Sequence, residues 1–134
     1  MEPGSDNNIY VRTQEAGLVV EARAVWIGAD VLVYIWGGDK PHIGAVAAAQ
    51  SRPSLADERR RSATCSVLTY LGHKEDEVVK VVSEQLSAVL DTRVVVTAGI
   101  HRDGLNQNEI RAIGTAIEEI IRLLAAKLKK QEHT

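Results

Sequence analysis

The sequence predicts an α+β fold, a mainly antiparallel sheet with two helices packed on it. Three observations carry this. The first half of the chain is a succession of short apolar segments broken by Gly, Pro and Asp, two stretches in the second half repeat their apolar residues at spacings of three and four, and a single apolar strand separates those stretches. The element order is therefore β-β-β-β-β-α-β-α, read as one domain over residues 9–130, with residues 1–8 and 131–134 as disordered ends.

The segment "IYVRTQEA" opens the domain and Gly17 breaks it. In "LVVEARAVWIG", Val20, Ala22, Ala24 and Trp26 fall on one face while Glu21 and Arg23 fall on the other, the period of a half-buried strand. Gly28-Ala29-Asp30 turns the chain into "VLVYIWGG", whose near-continuous apolar character is that of a central strand. These three segments read as an antiparallel meander. Gly38 and Pro41 then suggest a hairpin connection into "HIGAVAAAQ", read as a fourth strand. Ser51 to Arg61, with Pro53 and the run "DERRR", is expected to be a long, mobile, solvated loop before the strand "SATCSVLTYLG".

"HKEDEVVKVVSEQLSAVLD" is the first helix, its stripe made by Val78, Val79, Val82, Leu86, Val89 and Leu90 and its acidic start suited to the helix dipole. "RVVVTAGI" is a short apolar strand that can pair at an edge or inside the sheet. "NQNEIRAIGTAIEEIIRLLAAKLKK" is the second helix, with Asn106 as N-cap, Glu109 three residues on, and Ile110, Ile113, Ile117, Ile120, Ile121, Leu124 and Leu128 as its buried stripe.

Composition excludes several functions. With 16 basic and 18 acidic residues the net charge is −2, which supplies no field for nucleic acid or an anionic membrane. The single cysteine, Cys65, permits no intrachain disulfide and is expected to be a small buried side chain. The polar start has no apolar core of a signal peptide and no apolar run approaches a membrane span, so a cytoplasmic location is expected. There is no G-x-S-x-G and no H-E-x-x-H. A set of His42, His101 and Asp103 is conceivable for a metal or a small enzyme, but nothing in the spacing selects it, and no catalytic residues are assigned.

Two loops stand out. "WGGDKPHIGAVA" and "TAGIHRDGLNQNEI" each leave an apolar strand through glycine and histidine. They read either as turns or as one ligand site. In the second case Gly99 and Gly104 would let backbone approach an anion at the start of the last helix, with Lys40, His42, His101 and Arg102 as donors. Trp36 is either a core aromatic or a face for a flat ring.

Together these motifs resemble the small D subunit of UbiD-type, gallate-type decarboxylases, a prenylated-flavin chaperone-like family that is itself distantly like the proteasome-assembly chaperones. Gly37, Gly38, Pro41, His42 and Gly44 fall on the first motif, and Gly99, His101 and Asp103 on the second. The resemblance implies a non-catalytic, homodimeric accessory protein. It would bind or deliver prenylated flavin mononucleotide, or flavin mononucleotide itself, to a UbiD-type decarboxylase catalytic subunit, or stabilise that partner. An assembly module without any small-molecule ligand is the alternative.

Overall fold

The computed structural model describes residues 8–70 and 75–132. His73, His133 and the expected terminal segment 1–8, apart from Asn8, lie outside the described residues; of the expected tail 131–134, Gln131 and Glu132 continue the last helix.

Strands β1 (Asn8–Glu15), β2 (Leu18–Ile27) and β3 (Asp30–Gly38) form the expected meander. The β1–β2 turn consists of Ala16 and Gly17 alone, at φ 50° and 77°, the left-handed pair whose twist matches that of the flanking strands. Strands β4 (Ala45–Pro53) and β5 (Arg61–Thr69) form a separate antiparallel hairpin. It closes more tightly than the long loop expected over Ser51–Arg61, because Pro53 pairs with Arg61 and the Ser54 N–H donates to the Arg60 carbonyl at 2.8 Å.

The expected hairpin between β3 and β4 is absent. Strand β6 (Val94–His101) lies between them, giving the order β1-β2-β3-β6-β4-β5. It runs parallel to β3, with Tyr34 beside Thr97 and Gly38 beside His101, and antiparallel to β4. The first five strands therefore do not make a continuous sheet by themselves. Four of the five pairings are antiparallel, so the sheet is mainly antiparallel as expected.

Both helices, α1 (Asp76–Leu90) and α2 (Gln107–Glu132), contribute to the one core that buries Val11, Val20, Ala22, Val33, Val96 and Ala47 on the same face of the sheet. Helix α1 lies over β4, β5 and β6, and α2 over β1 and β2. Val79, Val82, Leu86 and Leu90 make the inward stripe of α1, but Val89 is exposed and Ser83 and Ser87 are buried in its place. Both serines satisfy their hydroxyls locally, Ser83 Oγ on the Lys80 carbonyl and Ser87 Oγ on the Thr92 carbonyl at 2.6 Å, so a small side chain can sit against the sheet without stranding a donor. In α2 the stripe runs as expected from Ile117 to Leu128, while Ile110 in the first turn is exposed. Cys65 is half-buried rather than buried, its Sγ donating to Glu84 Oε1 at 3.2 Å. No helix among the described residues is long and apolar enough to cross a membrane.

Candidate functional site

The parallel pairing of β3 with β6 brings the two glycine- and histidine-bearing loops together. Where the strands end, the Asp39 N–H donates to the His101 carbonyl at 2.7 Å, and the Gly44 N–H donates to the Ala98 carbonyl at 2.9 Å. The rings of His42 and His101 meet edge to face with centroids 6.2 Å apart.

Glycine is required at this junction because backbone occupies the places where side chains would go. A Cβ on Gly99 would lie 1.7 Å from the His42 carbonyl oxygen, and one on Gly38, at φ 77°, would lie 2.0 Å from that of His101. Gly37 faces the Val19 carbonyl in the same way. The close approach expected for a ligand is made here by the protein's own loops.

His42 is anchored at both nitrogens. Nδ1 donates to the Lys40 carbonyl at 3.0 Å and Nε2 faces the Glu75 carboxylate at 3.0 Å. A carbonyl only accepts, so Nδ1 carries a proton. Glu75, which immediately precedes α1, is buried, and its carboxylate fills the space that a side chain on Gly44 would need.

His101 and its neighbours form a more open network. His101 Nε2 contacts Asp103 Oδ1 at 2.8 Å, and Lys40 Nζ lies 3.6 Å from Oδ2. The hydrogen bond from His101, aided by the Lys40 charge, holds the Asp103 carboxyl below its usual range. Arg102 is turned the other way. It donates to Glu109 Oε2 at 2.8 Å and to the Gly17 carbonyl at 3.0 Å, with Asp39 3.7 Å away, so it ties the start of α2 to the β1–β2 turn. Glu109 in turn accepts from the Asn106 N–H at 3.3 Å while Asn106 Oδ1 accepts from the Glu109 N–H at 2.8 Å, the reciprocal cap predicted from sequence. The first turn of α2 is thus capped by a carboxylate of its own chain. The Arg102 hydrogen bond, then that of the Asn106 N–H, keeps Glu109 below the usual glutamate range.

Trp36 lies on the sheet face opposite the helices, half-buried and stacked on Tyr34 with centroids 5.8 Å apart. With Ile35, Pro41, His42, Ile43 and Thr97 this pair lines a shallow hollow of about 460 Å³. A second hollow of about 440 Å³ continues past Ile43 and Thr97 to Val46, Leu68 and Tyr70. Among the described residues no group of three His, Cys, Asp or Glu side chains is placed to hold a metal.

All the sequence-selected residues therefore lie at one end of the β3–β6 seam, but they divide into two sides. Gly37, Gly38, Gly44 and Gly99 shape the junction, Arg102 and Asp103 belong to its polar side, and Trp36, Pro41 and His42 border the apolar hollow. The sequence reading missed Glu75, which looked like one more acid in a helix start, and Tyr34, Ile43, Leu68 and Tyr70. The absence of alternation in "VLVYIWGG" was the available signal for Tyr34.

Comparison with known proteins gives the family and the fold. A family model described as the prenylated flavin chaperone LpdD-like domain matches residues 14–129. The chain belongs to this family. Its relatives include the protein LpdD of Lactiplantibacillus plantarum, 26% identical over 119 residues that span 87% of this chain and 82% of that protein. The fold is shared with a chaperone complex for yeast 20S proteasome assembly, at a TM-score of 0.57 and 10% identity over 92% of this chain and 99% of that one. Membership in the LpdD-like family gives the chain a chaperone-like role, on a fold shared with that yeast chaperone complex.

Proposed function

We propose that this protein is a non-catalytic, homodimeric accessory protein that holds prenylated flavin mononucleotide, or flavin mononucleotide, for a UbiD-type decarboxylase catalytic subunit, delivering the cofactor or stabilising that partner. The observation that carries the reading is one juxtaposition. An aromatic-floored apolar hollow, with Tyr34 and Trp36 stacked along it, opens directly beside the polar cluster of Lys40, His42 and His101. A prenylated flavin has the matching division, a flat apolar ring system joined to a phosphate. The ring would lie against Trp36, Pro41 and His42, and the phosphate would sit towards Lys40 and His101. Gly37, Gly38, Gly44 and Gly99 hold the junction in shape, and Arg102 and Asp103 orient its polar side.

Calorimetric titration with each flavin tests this. Saturable binding by the wild type, weakened at least tenfold in His42→Ala/His101→Ala and in Trp36→Ala, is the expected result. Absence of binding by the wild type excludes it.

A second reading is an assembly module without a small-molecule ligand. It is favoured by the glycine cradles being filled with backbone and by Arg102 and His101 being engaged within the chain. In that case the double histidine variant retains full binding to a decarboxylase subunit and no flavin effect is seen.

A further inference from the structure

We infer that β1 takes up an extended segment of the partner polypeptide as an added strand, seated in the cleft between its open edge and α2. This rests on the decarboxylase partner of the preceding reading and not on its flavin.

Strand β1 ends the sheet, and no other described strand lies beyond it. Its pairing with β2 starts from a two-residue turn, so Glu15, Thr13, Val11 and Ile9 exchange main-chain hydrogen bonds with β2. The alternate residues Arg12 and Gln14 therefore point their N–H and C=O groups away from the sheet. Helix α2 packs over β1 and leaves a cleft of about 470 Å³ along this edge, walled on the helix side by Thr115, Glu119 and Arg122.

Thr13 marks the cleft as a site. It occupies the core-facing position after Ile9 and Val11, is 7% exposed, and lines the cleft. Its Oγ1 is buried and has no hydrogen-bond partner among the described residues. A buried hydroxyl without a partner destabilises a fold, and valine would fill the same space without that cost. The hydroxyl is thus explained by a group that arrives from outside the chain.

The lining identifies the class of that group. Two bases, Arg12 and Arg122, stand among three acids, Glu15, Glu118 and Glu119, and Glu119 already holds Arg122. This balance gives no net attraction to a phosphate or a nucleic acid, and no lining residue is aromatic, so a flat ligand has nothing to stack on. The cleft offers instead main-chain donors and acceptors along one edge, with a hydroxyl and side-chain charges of both signs beside them. An extended polypeptide matches that pattern by strand addition.

Position selects the partner of the cofactor reading. Thr13 pairs with Val20, Val20 with Gly37 and Gly37 with Ile100, one row across the sheet. Strand spacings of about 4.8 Å put the cleft roughly 14 Å from the β3–β6 junction. Arg102, which donates to both the Gly17 carbonyl and Glu109, ties the two regions together. A segment seated on β1 is held within reach of the candidate cofactor site.

The test is calorimetry of the full chain against the decarboxylase catalytic subunit, with amide hydrogen exchange measured on the same complex. Arg12→Pro removes the outward N–H and spares the bonds to β2, a change that edge strands tolerate, whereas Arg12→Ala removes only the side chain. Thr13→Val removes the hydroxyl. The wild type is expected to bind and to slow exchange of the Arg12 and Gln14 amides at least tenfold. Arg12→Pro and Thr13→Val are each expected to weaken binding at least tenfold, with Arg12→Ala losing less than Arg12→Pro. Thr13→Val is also expected to raise the melting temperature of the free chain, so its lost binding cannot be lost folding. A lower melting temperature means that the hydroxyl already serves the fold, and overturns the site. Binding that leaves those amides unprotected, or that Arg12→Pro and Thr13→Val both retain, overturns the inference while the decarboxylase reading stands. A wild type that does not bind the subunit overturns partner and docking edge together, and flavin titration still decides the cofactor separately.

Discussion

Gly99 and Gly44 both lack a side chain for want of space, yet the costs of filling that space differ. At Gly99 the obstacle is the His42 carbonyl, part of a backbone held between two strands, and it cannot move without opening the β6–β4 end. Gly99→Ala is expected to destabilise by about 1–3 kcal/mol or more in urea unfolding, the scale of forced overpacking. At Gly44 the obstacle is the end of the Glu75 side chain. Gly44→Ala should therefore cost less, and its signature is a displaced carboxylate that changes the His42 ring resonances in NMR spectra.

Glu109 gives a pH dependence whose sign is fixed. Its folded-state value is lowered, first by Arg102 and then by the Asn106 N–H. The carboxylate's contribution is thus complete above the ordinary glutamate range and is lost progressively as pH falls from there through the lowered folded value. Glu109→Gln is expected to flatten the acid limb of the stability–pH profile and to leave the neutral region less stable than the wild type. An unchanged acid limb would mean that the Arg102 pair contributes nothing.

The elements themselves were legible where their causes are local. The start of α2 could be read from Asn106 and Glu109 because a capping box is a spacing, and Asn106→Ala is expected to cost about 1 kcal/mol in thermal or urea unfolding. The meander of β1, β2 and β3 was legible for the same reason, since its two turns are two residues long and its pairing is sequential. The position of β6 was not. Its insertion between β3 and β4 is decided by contacts some 45 to 63 residues apart along the chain, and the largely apolar "RVVVTAGI" says only that the strand wants burial on both faces. The hairpin reading of Gly38 and Pro41 failed on this point, because those residues turn the chain past β6 rather than back onto β3. In the junction, the glycines and histidines were visible as types. Their partners were not, since Glu75 reaches His42 only once α1 has docked.

At the scale of the whole molecule, β6 joins two units that have no other strand pairing among the described residues, the β1–β2–β3 meander and the β4–β5 hairpin. A chain ending at Thr92 would keep both units but leave the inner edges of β3 and β4 unpaired. It is expected to aggregate in a turbidity assay at concentrations where the full chain stays clear, because open apolar edges recruit one another. The same geometry bears on synthesis. While the ribosome is still making the first ninety residues, the nascent chain holds two half-sheets that cannot yet find each other, and the residues that unite them emerge late. Slow decoding or early release before Val94 would therefore expose the stickiest part of this protein at the moment it is least able to hide it.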